Sequence, residues 1–275
     1  MAIYHFSAKV ISRSDGRSAV AAAAYRAAAA LEDLRTVRRY DYTAKQGVVH
    51  SAILLPDSAS ARLLDQSTLW NEVEAMERRR DAQLARDIEL SLPRELSQAA
   101  AIQLAHDFVA EQFVARGMVA DLNVHWGRTK EGEDQPHVHV MLTMRSIGPD
   151  GFGPKVREWN ATSLLVDWRE RWATLANERL SLQGHDVRID HRSNAAQGIG
   201  LEPQNKIGPA CQYRLNAPQK RRSKIPHFVT VQSRPYPRGG LMSAMSDRSR
   251  STMAWSASAV SVSRRASGRA SAQAV

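Results

Sequence analysis

Apolar and polar residues alternate along residues 2–11, which predicts a strand. The stretch "SAVAAAAYRAAAALEDLR" (18–35) follows; its alanines favour a helix, and Ser18 stands where an N-cap belongs. "GVVHSAILLP" (47–56) reads as a second strand, ended by Pro56. Leu69, Trp70, Val73, Met76 and Leu84 recur at roughly helical spacing, so a helix is expected over 67–85. "RDIELSL" (86–92) alternates strictly and again ends at a proline. Ser97 is placed to cap a helix running to Gly117, a usual helix stop. "MVADLNVHWG" (118–127) and "HVHVMLTMR" (137–145) read as two strands joined by the polar "RTKEGEDQP", a long hairpin loop. A last helix is expected over about 162–183, stopping at Gly184. Five strands and four helices make an α/β sandwich with an at least partly antiparallel sheet.

From about residue 234 the periodicity dissolves into Ser, Ala and Arg. That composition buries too little apolar surface to offset chain entropy, so the stretch is expected to be disordered. Charge changes the picture most. The net charge of +10 belongs entirely to the last third, because residues 1–192 sum to −1 and residues 193–275 to +11. Such a segment attracts polyanions without sequence preference, by counterion release. The body must recognise nucleic acid through local patches, such as "RTVRR" (35–39) with "YDYTAK" (40–45) behind it. One cysteine, Cys211, excludes a disulfide framework and a thiolate metal site, and fits a reducing compartment. No run approaches the ~18 apolar residues of a membrane span, and the N-terminus lacks a signal-peptide pattern. The expectation is an unexported cytoplasmic protein without membrane insertion.

Side chains on a strand repeat with period two, so His137 and His139 share a face with Met141 and Thr143, while Val138, Val140, Leu142 and Met144 take the core side. In the preceding strand His125 shares its face with Asn123 and Asp121. If the loop closes so that Gly127 pairs with His137, His125 lies opposite His139 and three imidazoles converge. Alone, the HxH pattern is equally a polar strand face; with His125 opposite, it points to a metal with open positions, the mark of a catalytic site. Tyr25 sits in an alanine helix beside Arg26. A lone helical tyrosine is ordinarily a core residue, yet small neighbours let another backbone approach, and a nearby base or cation would activate its hydroxyl. Asp87 and Glu89 share the polar face of their strand. They are either a solvated sheet face or the groups that take the tyrosine proton or orient a metal-bound histidine.

An HxH strand also resembles the histidine-triad nucleotide hydrolases, but their third histidine is Met141 here. A longer set of segments, "MAIYHFSAKVISRSDGRSAVAAAAY", "YDYTAKQGVVH", "WNEVEAMERRRDAQLARDIELSLPREL", "GMVADLNVHW", "PHVHVMLTMR", "DGFGPKVREWN" and "GHDVRIDHRS" with "QGI", resembles the MobA/MobL conjugative relaxases over roughly residues 1–210. The resemblance implies a two-layer HUH-endonuclease fold with an about five-stranded, largely antiparallel sheet and flanking helices. Residues 1–205 would be the relaxase domain and residues 206–275 a basic, mostly disordered tail. It implies that Tyr25 attacks a phosphodiester in single-stranded plasmid DNA at the origin of transfer, leaving a 5′-phosphotyrosyl link and a free 3′-OH that later rejoins. His125, His137 and His139 would hold one divalent ion, Mg²⁺ or Mn²⁺, with Asp87, ahead of Glu89, as the supporting carboxylate. Arg26, Arg38, Arg39, Tyr40 and Tyr42 would grip the strand by charge and stacking, although a solvated charge run accounts for the basic residues equally. Accessory transfer proteins and a type IV coupling protein are the implied partners, in the cytoplasm of a bacterium. Larger relatives append a helicase, but no GxxxxGK[ST] loop occurs here. Two other readings stand beside this one. The first is a truncated, non-catalytic DNA-binding remnant that acts through its tail. The second is an HUH rolling-circle replication initiator, whose tyrosine normally follows the HxH strand, whereas Tyr25 precedes it.

Overall fold

The computed structural model describes residues 4–129 and 131–200. The domain boundary expected near 205 and the basic tail lie outside the described residues. The main sheet has five strands: β1 (Phe6–Ser12), β4 (Val48–Leu54), β5 (Gln83–Ser91), β6 (Ala120–Arg128) and β7 (Asp134–Leu142). Their order is β1-β5-β7-β6-β4, with every neighbouring pair antiparallel. Two hairpins stand apart from it, β2 (Ala30–Asp33) with β3 (Arg38–Asp41), and β8 (Arg145–Gly148) with β9 (Gly151–Lys155). Four helices flank the sheet: α1 (Ala19–Ala27), α2 (Gln66–Met76), α3 (Gln98–Gln112) and α4 (Thr162–Leu182).

One face of the sheet is largely apolar. Phe6, Ile88, Leu90, Leu122, Val124, Val138, Val140 and Leu142 meet Phe108, Phe113, Trp168 and Trp172 of the α3–α4 side in one core. Each such side chain stabilises the fold by about 1.5–3 kcal/mol on burial, and the aromatic rings add edge-to-face contacts, Phe108 to Trp172 at 5.1 Å and Phe113 to Trp168 at 5.0 Å. On the opposite face α1 and α2 bring Val20, Ala23, Leu69 and Trp70 onto Ile11, Ala85, Val119 and Met141. This apolar cover reaches Met141 and goes no further along β7. Beyond it the same face presents His139 and His137, with His125 across the ladder. The uncovered end of the second face is where polar chemistry has room.

Several elements differ from the sequence expectation. The helix expected over 18–35 stops at Ala28, which adopts a left-handed conformation (φ 53°). Ser18 caps it as expected, accepting from Ala21 N. The competitor is Asp33. Its fully buried carboxylate accepts from Ser18 Oγ at 2.8 Å and from the Arg35 and Thr36 amides at 3.0 and 3.1 Å. That turn pulls Ala30–Asp33 into the β2–β3 hairpin and overrides the helical propensity of its residues. At its tip Val37 is left with φ 52°, an unfavourable value for a β-branched residue. The helix expected over 67–85 ends at Met76, because the next residue, Glu77, is a buried carboxylate held by Arg145 and Lys155. Leu84, counted on the helix face, is a buried residue of β5.

The β6–β7 hairpin is tighter than expected. Arg128 pairs with Asp134 and Gly127 with Gln135, so His125 faces His137 directly and Asn123 faces His139. The expected pairing of His125 with His139 is therefore displaced by two residues. Gln135 and Pro136 join the ladder instead of the loop, closed by Thr129 N donating to Glu133 O at 2.8 Å. A shift of two keeps every side chain on its face, and the three imidazoles still meet.

Candidate active site

His125, His137 and His139 bring one ring nitrogen each to within 4.8 Å of one another. Their ring centres are 4.9–5.3 Å apart. Two of the rings are oriented by backbone carbonyls. His125 Nε2 donates to Arg26 O at 2.7 Å and His137 Nδ1 donates to Gln135 O at 3.1 Å, since a carbonyl can only accept. That leaves the lone pairs of His125 on Nδ1 and of His137 on Nε2. His139 Nδ1 is buried without a hydrogen-bond partner, 3.9 Å from Asp87 Oδ1. Burial holds the His139 ring down to about 2, with the Arg26 charge the next cause. Burial likewise holds His125 to about 4, against the raising pull of its bond to the Arg26 carbonyl. Both rings therefore stay neutral at physiological pH.

The donor set fits a metal ion. Three imidazoles converge, one carries an orphaned buried nitrogen, and among the described residues no carboxylate or thiolate completes the group, so further positions stay open. An all-nitrogen set suits Mn²⁺ or another transition ion better than Mg²⁺, which prefers oxygen.

Arg26 ties helix α1 to this group. Its Nε and Nη2 grip the two oxygens of Asp87 at 2.9 and 2.5 Å, Nη1 donates to Ala22 O at 2.8 Å, and its own carbonyl takes the His125 proton. The guanidinium is thus committed to Asp87 while it borders the cleft. Asp87 is equally committed: both oxygens bond Arg26, and Oδ1 lies 3.9 Å from His139 Nδ1, which suits orienting work. Glu89 stands across the ladder from His139 and faces Lys9 at 3.6 Å, leaving it the less engaged carboxylate.

Tyr25, the residue before Arg26, is 50% exposed, which removes the ordinary explanation that it fills a core. With Arg26, Asp87, Glu89, His139, Lys9, Arg17 and Tyr40 it lines one open cleft of about 480 Å³. Its ring packs edge-on against Tyr42 at 5.3 Å. Tyr40 and Tyr42 accordingly lie beside Tyr25, whereas Arg38 and Arg39 lie exposed on β3, with Arg39 3.7 Å from Asp41. Sequence reasoning placed Lys45 only within a generic basic and aromatic patch. In the structure its ammonium lies 3.9 Å from the centre of the Tyr25 ring, a contact that no spacing rule reveals. Below the cleft, fully buried Asp121 accepts from Trp70 Nε1, Gln66 Nε2 and Asn123 Nδ2 at 2.7, 2.7 and 2.8 Å. That network locks β6 beside the histidines. Among the described residues, no helix is long and apolar enough to cross a membrane.

Several known proteins resemble this chain. A model of the MobA/MobL family matches residues 17–215. The conjugal transfer protein TraA of Agrobacterium fabrum (strain C58) is 41% identical over 239 residues, which cover 76% of this chain and 21% of that protein. The mobilization protein MobL of Acidithiobacillus ferridurans is 42% identical over 240 residues, covering 76% of this chain and 63% of that one. The chain thus spans about a fifth of TraA and under two thirds of MobL. A solved structure described as the molecular basis of vancomycin resistance transfer in Staphylococcus aureus superposes with a TM-score of 0.65 at 34% identity, covering 70% of this chain and all of that one. With the family model spanning well over half its length, the chain belongs to the MobA/MobL family.

Proposed function

We propose that this chain is the nicking and rejoining domain of a plasmid-transfer relaxase, acting on single-stranded DNA. The observation that carries the reading is the double link through Arg26. One residue joins the helix of an exposed tyrosine to both the imidazole cluster, through its carbonyl, and the supporting carboxylate, through its guanidinium. Tyr25 Oη attacks phosphorus; a phenolic O–P bond forms as the P–O3′ bond breaks. The phenolic proton passes to Glu89, directly or through water, and the departing 3′ oxygen takes up a proton to become a 3′-OH. The 5′-phosphotyrosyl link conserves the bond, so the same 3′-OH reverses the step and no nucleotide is consumed. Asp87 holds Arg26 and faces His139, and so keeps the last turn of α1 against the histidines. His125, His137 and His139 would hold one divalent ion, which supplies charge stabilisation at the phosphate when bound. Tyr40 and Tyr42 offer rings on which bases stack. A duplex would hold its phosphodiester too stiffly to enter the cleft, so the substrate is unpaired.

The test is a pool of randomised single-stranded oligonucleotides incubated with the protein and Mn²⁺ or Mg²⁺. A DNA adduct that resists SDS, vanishes in Tyr25→Phe and yields an enriched sequence is expected. Binding without any adduct in the native protein would overturn the reading and favour a non-catalytic DNA-binding role.

A further inference from the structure

Lys45 lies between β3 and β4, and both recorded contacts of its ammonium belong to a single residue. Nζ donates to the Tyr25 carbonyl at 2.9 Å and stands 3.9 Å from the centre of the Tyr25 ring. Among the described residues no carboxylate forms an ion pair with it, whereas neighbouring Arg26 is paired with Asp87. Burial and the neighbouring Arg26 guanidinium both disfavour its charge, and its field reaches His125 and His139. A partly buried cation without a counter-ion is costly to maintain. In a site that admits a phosphodiester, the compensating anion arrives with the substrate. An ammonium has three N–H bonds; the Tyr25 carbonyl engages one, leaving two free.

We propose that Lys45 is a further catalytic residue of this centre, steadying the Tyr25 ring while its free N–H bonds hold the scissile phosphate. This rests on the nicking reading and adds a cation to it from the chain itself. Lys45 forms no covalent bond. As the phenolic O–P bond forms and the P–O3′ bond breaks, negative charge grows on the non-bridging oxygens, and a fixed ammonium beside them favours that state over the ground state. Its bond to the Tyr25 carbonyl keeps cation and nucleophile in one frame. The contact serves equally when the 3′-OH attacks the phosphotyrosine.

The experiment compares the native protein with Lys45→Met, Lys45→Arg and Lys45→Ala, using an oligonucleotide recovered from the adduct pool. Urea unfolding first establishes that each variant is folded; Lys45→Arg, which keeps the charge, covers the case in which the methionine variant is not. At saturating DNA, Lys45→Met is expected to slow single-turnover adduct formation about 100-fold. Its DNA affinity should weaken by less than about tenfold, the scale of one phosphate contact. Arginine should recover much of the rate, and added ethylammonium should partly restore Lys45→Ala, which a merely structural defect would not allow. Native-like adduct formation by Lys45→Met overturns the proposal. So does a loss confined to affinity, or a rate loss that neither arginine nor ethylammonium repairs. A native protein that binds but forms no adduct overturns the nicking reading itself, and with it this one.

Discussion

Replacing Asp87 by leucine strips Arg26 of both ends of its bidentate bond, at 2.9 and 2.5 Å. The two side chains are 13% and 7% exposed, so water cannot replace the carboxylate. The stranded guanidinium then faces Lys45, His125 and His139, groups whose protonation its charge already opposes. Truncating one member of a buried pair costs about 3–5 kcal/mol, and the slight exposure here points to the lower end. For a domain of ordinary stability, about 5–15 kcal/mol, that is a large fraction. Removing both charges leaves no orphan, so Arg26→Met with Asp87→Leu should lie within about 1 kcal/mol of the native protein. Urea unfolding of the native protein, both single variants and the double variant measures the coupling directly; at least about 2 kcal/mol is expected. A coupling below about 0.5 kcal/mol would refute the claim that the pair is held out of water. A Mn²⁺ titration gives a second readout. Asp87 lies 3.9 Å from His139 Nδ1, and losing such a support should weaken the metal about 10–100-fold.

Two further outcomes follow from the geometry. His125 and His139 are held to about 4 and about 2 against an ordinary 6.5, so below pH 6.5 the unfolded chain binds protons that the folded one refuses. Stability should therefore fall as the pH drops, by roughly 2–4 kcal/mol between pH 7 and 5 without metal, and His139→Gln should flatten the profile; denaturant midpoints at the two pH values decide it, and a flat native profile would contradict the assignment. Val37, 80% exposed at φ 52°, packs against little and carries backbone strain, so Val37→Asn should stabilise the domain by about 1 kcal/mol in thermal unfolding; a destabilised variant would show that the valine side chain makes a favourable contact.

The parts legible in the sequence were those governed by strand periodicity. Alternation put His137 and His139 on one face and Val138, Val140 and Leu142 on the other. Because the period is two, the displaced hairpin register left that assignment intact. Asp87 and Glu89 were placed on their polar face for the same reason, and the ladder seats them beside the histidines. What the sequence did not reveal depends on contacts between distant residues. Asp33 draws its partners from Ser18 and from its own turn, and that competition cut the alanine helix short. Glu77 is fixed by Arg145 and Lys155, nearly seventy or more residues away, so the end of α2 left no local mark. The β8–β9 hairpin was not anticipated, since "DGFGPK" carries more glycine and proline than alternation. Lys45 was hidden for a related reason: its partners are a carbonyl and a ring face, and neither constrains residue type at a fixed spacing.

The proton on His125 Nε2 has a consequence for how this site can drift in evolution. It satisfies a carbonyl in the last turn of α1, where the helix offers no amide of its own. Aspartate or glutamate could still ligate a cation from position 125, but would have no proton to give and would set one acceptor against another. With the proposed ion, histidine at 125 is thus doubly constrained, by ligation and by the end of a helix. Position 137, whose carbonyl partner lies two residues away on its own strand, has more latitude to exchange.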